Sequence, residues 1–432
     1  MNLPARTLVL LCLRLVAILS LLGLAACTAL PPASPLPTHY TVYPGAEPGL
    51  LKTADGLTLF SQWWVPKTAE PRAVVLLLHG TAAHAGVYAP WAEYLTSQGY
   101  AMFAFDLRGW GQSQGFGRRA FVRSHEDYVD DLAPAFAEVQ RRFQGKPVFL
   151  QGESLGAAIA LQASIRGGLP AQGLILNAPP VYVNFKIGPG RWPNWLATPT
   201  LWMAGRVGWV APNAPIWPMQ SEWALSWVWN KAIFDDFSRQ MLKQEPHITH
   251  SAVAAVYVTA LGEGAARIRQ NIAAIKEPFI VLQGDKDYLV STPGSGTALM
   301  EEAGSTDKTR KVYPGMSHCT LHDVNRGAVW ADIVAWLDAR VPEPTLADAA
   351  VKLRVQGQAL TQETPAAAYA RMLRDYRLAT WQPGAPLPVT AVPAETLAPA
   401  EAAPSPAEAE ALPAEAEAPP AEVETAEAAA EA

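Results

Sequence analysis

The sequence predicts an α/β fold: a mostly parallel sheet flanked by helices on both faces, with a helical cap inserted between two of its strands. Three observations carry that expectation. Short apolar runs alternate with longer segments of helical pattern, the rhythm of strand–helix–strand architecture. Most of the runs are apolar throughout rather than at every second residue, as strands covered on both faces require. One interval, from 179 to about 272, is too long for a simple crossover and must fold as an insertion.

The 432-residue chain opens with MNLPARTLVLLCLRLVAILSLLGLAACTAL. A basic residue, Arg6, an apolar run and then small residues give residues 1–26 the layout of a secretory leader, with a linker over 27–45. As a membrane span the run would hold Arg14 near its middle, at about 2.5 to 3.5 kcal/mol. The apolar run beyond Arg14, taken alone, falls short of the roughly 20 residues that cross a bilayer. Leu24-Ala25-Ala26-Cys27 resembles the lipobox of bacterial lipoproteins, which implies cleavage before Cys27 and its acylation. More than one acyl chain there would anchor the protein stably, at about 0.8 kcal/mol per buried methylene. Thr28, rather than Asp, at the next position implies the outer over the inner membrane of the bacterial envelope. An ordinary leader with an incidental cysteine is the alternative.

A folded α/β body is expected over 46–342. LKTADGLTLFSQWWVP carries Asp-Gly between alternating segments, a hairpin signal. AVVLLLH (73–79), YAMFAFD (100–106), KPVFLQ (146–151), GLILNA (173–178), PFIVLQ (278–283) and TRKVYP (309–314) read as strands. Helices are expected over 124–143, with Ser124 as N-cap, from Gly156 onward through AAIALQASI, and over 328–341. Eight of the fifteen tryptophans fall between Trp192 and Trp229, inside the insertion. Residues 346–381 read as two helices of an extension spanning 343–383.

From 384 to 432 the chain is a Pro/Ala/Glu tract without aromatic residues, Lys or Arg. It is expected to be a disordered acidic tail, because it has too little apolar surface to offset chain entropy. The sequence names no partner for it. Its ten glutamates dominate the net charge of −6, so the body is nearly neutral and has no basic stripe of the kind that binds nucleic acid. Cys12, Cys27 and Cys319 make no disulfide framework, and a body of roughly 300 residues has enough core to fold without one.

Two stretches fit G-x-S-x-G: GQSQG (111–115) and GESLG (152–156). A nucleophilic serine needs a strand that ends, a tight turn that exposes its hydroxyl, and a helix that starts at once, whose N-terminus favours negative charge. GESLG follows KPVFLQ and precedes strong helix material. GQSQG is followed by Phe116-Gly117-Arg118-Arg119, where no helical run begins. Ser154 is therefore the nucleophile candidate and Ser113 a loop residue.

A serine hydroxyl is activated by a base, and the base is held by an acid. GDKD after PFIVLQ offers Asp285 and Asp287; GMSH after TRKVYP offers His318, with His322 further on. An oxyanion would need two backbone N–H donors. Leu155, after the serine, is one candidate, and Thr81, in the loop after AVVLLLH, is the other. Paired metal ligands, His247 with His250 or His318 with His322, lack the HExxH or Cys/His context that would support them. No metal is expected.

Taken in order, these segments resemble the α/β-hydrolases of the monoacylglycerol lipase and lysophospholipase type, whose domain is also labelled a serine aminopeptidase. HGTAAHAGVY resembles that family's H-G-x-x-x-H-x-x-x-Y loop, FDLRGWGQSQG its D-x-R-G-x-G-x-S-x-G turn, and GESLGAA its G-x-S-M-G-G elbow. QGDKD and PGMSH resemble its acid and histidine segments. The resemblance implies Ser154, Asp287 and His318 as a catalytic triad, chosen over Asp285 and His322, with GQSQG structural. Leu155, Ala157 and Val87 stand where methionine, glycine and arginine are usual.

It further implies a carboxylester hydrolase acting on monoacyl lipids through an acyl-enzyme, with no cofactor. An aminopeptidase of the same fold is the alternative, for which Glu222, Asp235, Asp236 or Glu245 would have to bind the substrate amine. A second alternative is an inactive lipid-binding lipoprotein.

Overall fold

A computed structural model describes residues 30–67, 70–183, 207–208, 211–216, 253–341 and 379–381. The expected leader with Cys27, most of the insertion and extension, and the tail lie outside the described residues. In chain order the strands are β1 (Tyr40–Val42), β2 (Glu47–Lys52), β3 (Thr58–Trp64), β4 (Val74–Leu78), β5 (Ala101–Phe105), β6 (Val148–Glu153), β7 (Gly173–Asn177), β8 (Pro215–Ile216), β9 (Val253–Ala254), β10 (Phe279–Gly284), β11 (Lys308–Tyr313) and β12 (Ala379–Trp381). The helices are α1 (Ala89–Ser97), α2 (Glu126–Asp130), α3 (Leu132–Arg142), α4 (Leu155–Arg166), α5 (Ala255–Asn271), α6 (Thr292–Glu302) and α7 (Gly327–Asp338).

Eight strands form one sheet in the order β11-β10-β7-β6-β4-β5-β3-β2. The six apolar or late-chain runs supply β4, β5, β6, β7, β10 and β11, all mutually parallel where they pair. β2 and β3 form the antiparallel hairpin around Asp55-Gly56, and β3 joins the sheet antiparallel to β5. β4, β5, β7 and β10 are buried along their whole length, which is what apolar runs under helices on both faces achieve. β11 closes the edge and is largely accessible, in keeping with its polar sequence.

Around the sheet, α4 packs against β6, α2 and α5, and α7 against α1 and β10. The span 124–143 forms two helices, not one. Pro134 lacks the N–H that would bond to the Asp130 carbonyl, so the ladder breaks at Asp131, and the proline is tolerated in the first turn of α3. Ser124 lies one residue ahead of the assigned cap, His125, yet its Oγ accepts the Glu126 N–H at 3.2 Å. Helix α6 begins where the Ser291 Oγ accepts the Gly294 N–H at 3.2 Å.

Two boundary expectations change. The last part of the span assigned to the insertion is α5, a 17-residue helix packed on core helix α4. Residues 379–381, expected as helix, are a strand paired antiparallel with Tyr40–Val42.

Candidate active site

Strand β6 ends at Glu153 and α4 begins at Leu155, so Ser154 alone makes the turn between them. Its backbone sits at φ 53°, ψ −109°, a region that costs a residue with a Cβ about 1–3 kcal/mol. Glycines on either side make the turn possible: a Cβ on Gly152 would overlap the Gly156 carbonyl, and one on Gly156 would overlap the Leu78 carbonyl. Ala157, in place of the usual second glycine, is accommodated and fully buried. The turn is pinned on both sides, since the Ser154 N–H donates to the Asn177 carbonyl at 2.9 Å and the Ser154 carbonyl accepts the Ala158 N–H at 3.0 Å.

The other G-x-S-x-G turn has a different task. Ser113 Oγ donates to the Asp106 carbonyl at 2.5 Å and accepts the Phe60 N–H at 2.9 Å, so it ties the loop after β5 to β3. The Asp106 carboxylate accepts the Ala85 and Gln112 N–H groups at 2.7 and 2.8 Å. Arg108 is held by Asp131 and Asp55. Burial lifts the Asp131 carboxyl to about 6 despite that guanidinium.

Asp287 and His318 lie in the loops after β10 and β11, at the same end of the parallel strands as Ser154. Gly284 brings the two loops together: a Cβ there would collide with the Met316 and Ser317 carbonyls. Asp287 Oδ1 accepts the Leu289 and Val290 N–H groups at 2.8 and 2.9 Å, which aims Oδ2 at His318 Nδ1, 2.8 Å away. Asp285 is occupied elsewhere, accepting the Gly315 N–H at 2.7 Å. Burial alone would depress the His318 imidazole, but the charge and hydrogen bond of Asp287 and the charge of Glu153 outweigh it and raise its pKa above the ordinary histidine value.

Glu153 is the residue that motif reasoning passed over. Its buried carboxylate accepts the Tyr88 hydroxyl at 2.6 Å and lies 3.5 Å from His322 Nε2. Desolvation pushes it towards neutrality, but His322, Tyr88 and His318 together hold it ionised, below the usual glutamate range. Tyr88 in turn accepts the Gly80 N–H at 3.2 Å. One hydroxyl thus fastens the loop after β4 to the residue before Ser154. The signal was a charged residue closing a strand that is otherwise uncharged and buried throughout.

The loop itself runs against the serine turn, since a Cβ on Gly80 would lie 3.7 Å from the Ser154 Cβ. His79 is buried and neutral: desolvation lowers its pKa to about 4. With Nδ1 donating to the Gly80 carbonyl at 2.7 Å, Nε2 accepts the Leu107 N–H at 2.9 Å. Thr81 bonds through Oγ1 to the Tyr257 hydroxyl of α5 at 2.5 Å. Leu155 is the first residue of α4, where an N–H has no intrahelical acceptor. Val87 is core.

Beneath the turn runs a polar chain the sequence did not announce. Trp91 Nε1 donates to Gln151 Oε1, Gln151 Nε2 to Asn177 Oδ1, and Asn177 Nδ2 to Thr320 Oγ1, at 2.9, 3.1 and 3.3 Å. It joins β6 and β7 to the segment bearing His318. Buried polar groups demand such partners, and the glutamine closing the run KPVFLQ was its only visible trace. Among the described residues no group of three or more potential metal ligands gathers. His318 faces Asp287 and His322 faces Glu153, while His247 and His250 lie outside the described residues.

A family model described as "Serine aminopeptidase, S33" matches residues 69–325, a span that contains all of this site. The chain belongs to that family. Among relatives of this S33 hydrolase, the monoglyceride lipase of Homo sapiens is 32% identical over 67% of this chain and 90% of its own. That of Rattus norvegicus is 30% identical with the same coverage. The monoacylglycerol lipase of Mycolicibacterium smegmatis is 27% identical over 65% of this chain and 93% of its own. A soluble variant of monoglyceride lipase from Saccharomyces cerevisiae, solved with a substrate analog, superposes with a TM-score of 0.58 at 22% identity. It covers 72% of this chain and all of that one, and shows the shared α/β-hydrolase fold. The S33 chain is a carboxylester hydrolase of the monoacylglycerol lipase type.

Proposed function

We propose that the protein hydrolyses monoacyl lipids, a monoacylglycerol or a lysophospholipid, with Ser154, His318 and Asp287 as its triad. The observation that carries this reading is the 2.8 Å bond between His318 Nδ1 and Asp287 Oδ2 at the edge where Ser154 makes its strained turn. Ser154 Oγ attacks the ester carbonyl and its proton passes to His318 Nε2. Asp287 holds the Nδ1–H tautomer and stabilises the imidazolium. The N–H groups of Thr81 and Leu155 receive the oxyanion. Collapse of the tetrahedral intermediate expels the alcohol, which takes the proton from His318. Water then attacks the acyl-enzyme by the same route and releases the fatty acid. No cofactor takes part.

The relatives that are monoglyceride lipases favour a lipid ester. The family description favours a second reading, an aminopeptidase, whose candidate amine-binding acids, Glu222, Asp235, Asp236 and Glu245, lie outside the described residues. One panel separates them: the chain lacking residues 1–26 is assayed against monoacyl lipids, diacyl lipids, short soluble esters and aminoacyl arylamides. Long-chain monoacyl lipids are the expected substrates. Cleavage of short esters alone would remove the lipid assignment, and cleavage of arylamides alone would establish the aminopeptidase.

The lipobox-like segment supports acylation of Cys27 and attachment to the outer membrane of a bacterial envelope. The mass of the N-terminal peptide from membranes tests it. A diacylglyceryl-modified Cys27 is expected, and a free cysteine or a cleavage elsewhere would refute it.

A further inference from the structure

We propose that the sheet edge bearing Ser154 is the surface this protein turns towards a lipid bilayer, and that residues 32–43 are the strap that holds it there. The proposal rests on the acylation of Cys27 and adds to it an orientation. The sequence reads residues 27–45 as a linker, yet from Pro32 onward the chain is docked. Pro32 O accepts the Gly117 N–H at 2.9 Å, and the Ser34 N–H donates to Gly115 O at 2.8 Å. Ser34 Oγ accepts the Gly115 N–H at 3.1 Å, and Ser34 O accepts Gln114 Nε2 at 2.6 Å. Gln112 then grips the Thr41 backbone through both of its amide atoms, at 2.5 and 2.9 Å.

The loop that receives the strap leaves the C-terminal end of β5. It is therefore on the same edge as Ser154, and β5 lies two strands from β6, or about 10 Å along the sheet. Four residues lie between Cys27 and Pro32, and the five Cα-to-Cα steps they make reach at most about 18 Å when fully extended. A body of roughly 300 residues has a radius of gyration near 19 Å, so a tether this short cannot bring the opposite edge to the membrane.

The surface agrees. Of the eight large apolar side chains exposed among the described residues, six belong to this edge. Leu30 precedes the docked strap and Leu36 lies within it, between Ser34 and Thr41. Tyr182 and Val183 follow β7, Tyr288 follows Asp287, and Val324 follows His322. Singly such residues need no explanation, but gathered on one edge they make an interaction face. A substrate held in the bilayer would then meet Ser154 across the shortest path.

Hydrogen exchange on tethered protein tests this. The chain from Cys27 onward, with Cys319→Ser so that one thiol remains, is coupled to maleimide-headgroup lipid in phosphatidylethanolamine/phosphatidylglycerol vesicles. The same chain capped with N-ethylmaleimide is mixed with identical vesicles as reference. Coupling should slow exchange severalfold at 181–183, 288–291 and 322–326, and leave 143–147 and 167–172, at the other edge, unchanged. Equal effects at both edges, or none, would overturn the proposal. A Gly/Ser insertion of about 20 residues after Thr28, spanning some 25 Å on average, should abolish the slowing; its persistence would show that the strap does not set the orientation. Because the coupling is chemical, this outcome is independent of whether cells acylate Cys27, which the peptide mass decides.

Discussion

Ser154 is held at positive φ by a strand on one side and a helix on the other, and that strain separates two variants. Ser154→Ala keeps the strain and Ser154→Gly relieves it. Both should lose activity by about 10⁶-fold, but the glycine variant should be the more stable, by about 1 kcal/mol in denaturant unfolding. Equal stabilities would show that the turn is unstrained.

Glu153 makes a sharper prediction. His318 must be neutral to act as a base, so activity falls as pH drops through its raised pKa. Removing the Glu153 charge removes one cause of that rise. Glu153→Gln should therefore move the acid limb of the kcat/KM profile to lower pH, and an unmoved or rising limb would deny the coupling. At this scale the sequence was readable where spacing carried information, as for Ser154 over Ser113. The partnership of Glu153 with Tyr88 and His322 was not readable, because it joins residues far apart in the chain through side chains that no local pattern links.

Among the elements, two glycines carry more of the site than any helix propensity does. Gly156 lets α4 start against the Leu78 carbonyl, and Gly284 lets the His318 segment lie on the Asp287 loop. Alanine at either meets backbone, which cannot move aside, so each substitution should cost about 1–3 kcal/mol of unfolding free energy. Gly284→Ala should also lower kcat by parting the acid from the base. An unchanged melting temperature would mean that the loops have room to spare.

The parallel strands were legible because runs buried on both faces are apolar at every position. Helix α6 was not, since its Thr-Pro-Gly-Ser-Gly-Thr start has poor intrinsic propensity. The packing explains the sequence: a Cβ on Gly296 would overlap Gln283 and Arg310. The break at Asp131 was written in Pro134, and β12 was hidden because three residues in isolation carry no period.

For the molecule as a whole, the hydrolase sheet, the strap and helix α5 converge on one edge. Helix α5, which follows the insertion, contributes Tyr257 to the Thr81 side chain, so a helix packed on the core reaches the loop assigned to the oxyanion. Tyr257→Phe should leave the fold intact and reduce kcat by up to about tenfold through a looser loop, as active-site titration with a chromogenic ester would measure. An unaltered kcat would make that bond incidental. The order strand, serine, acid, histidine could be read from the chain because this topology delivers loops from successive parallel strands to one side. Which residues of the tryptophan-rich insertion face the substrate could not, since apolar side chains that dock a cap and those that line a pocket have the same composition.

The central claim is that one serine, at the junction of β6 and α4, is the nucleophile. Labelling with a fluorophosphonate and locating the adduct by peptide mass tests it most directly. A single adduct on the peptide bearing Ser154, lost in Ser154→Ala and retained in Ser113→Ala, is the predicted result. An adduct on any other residue, or none on a folded protein, would contradict it.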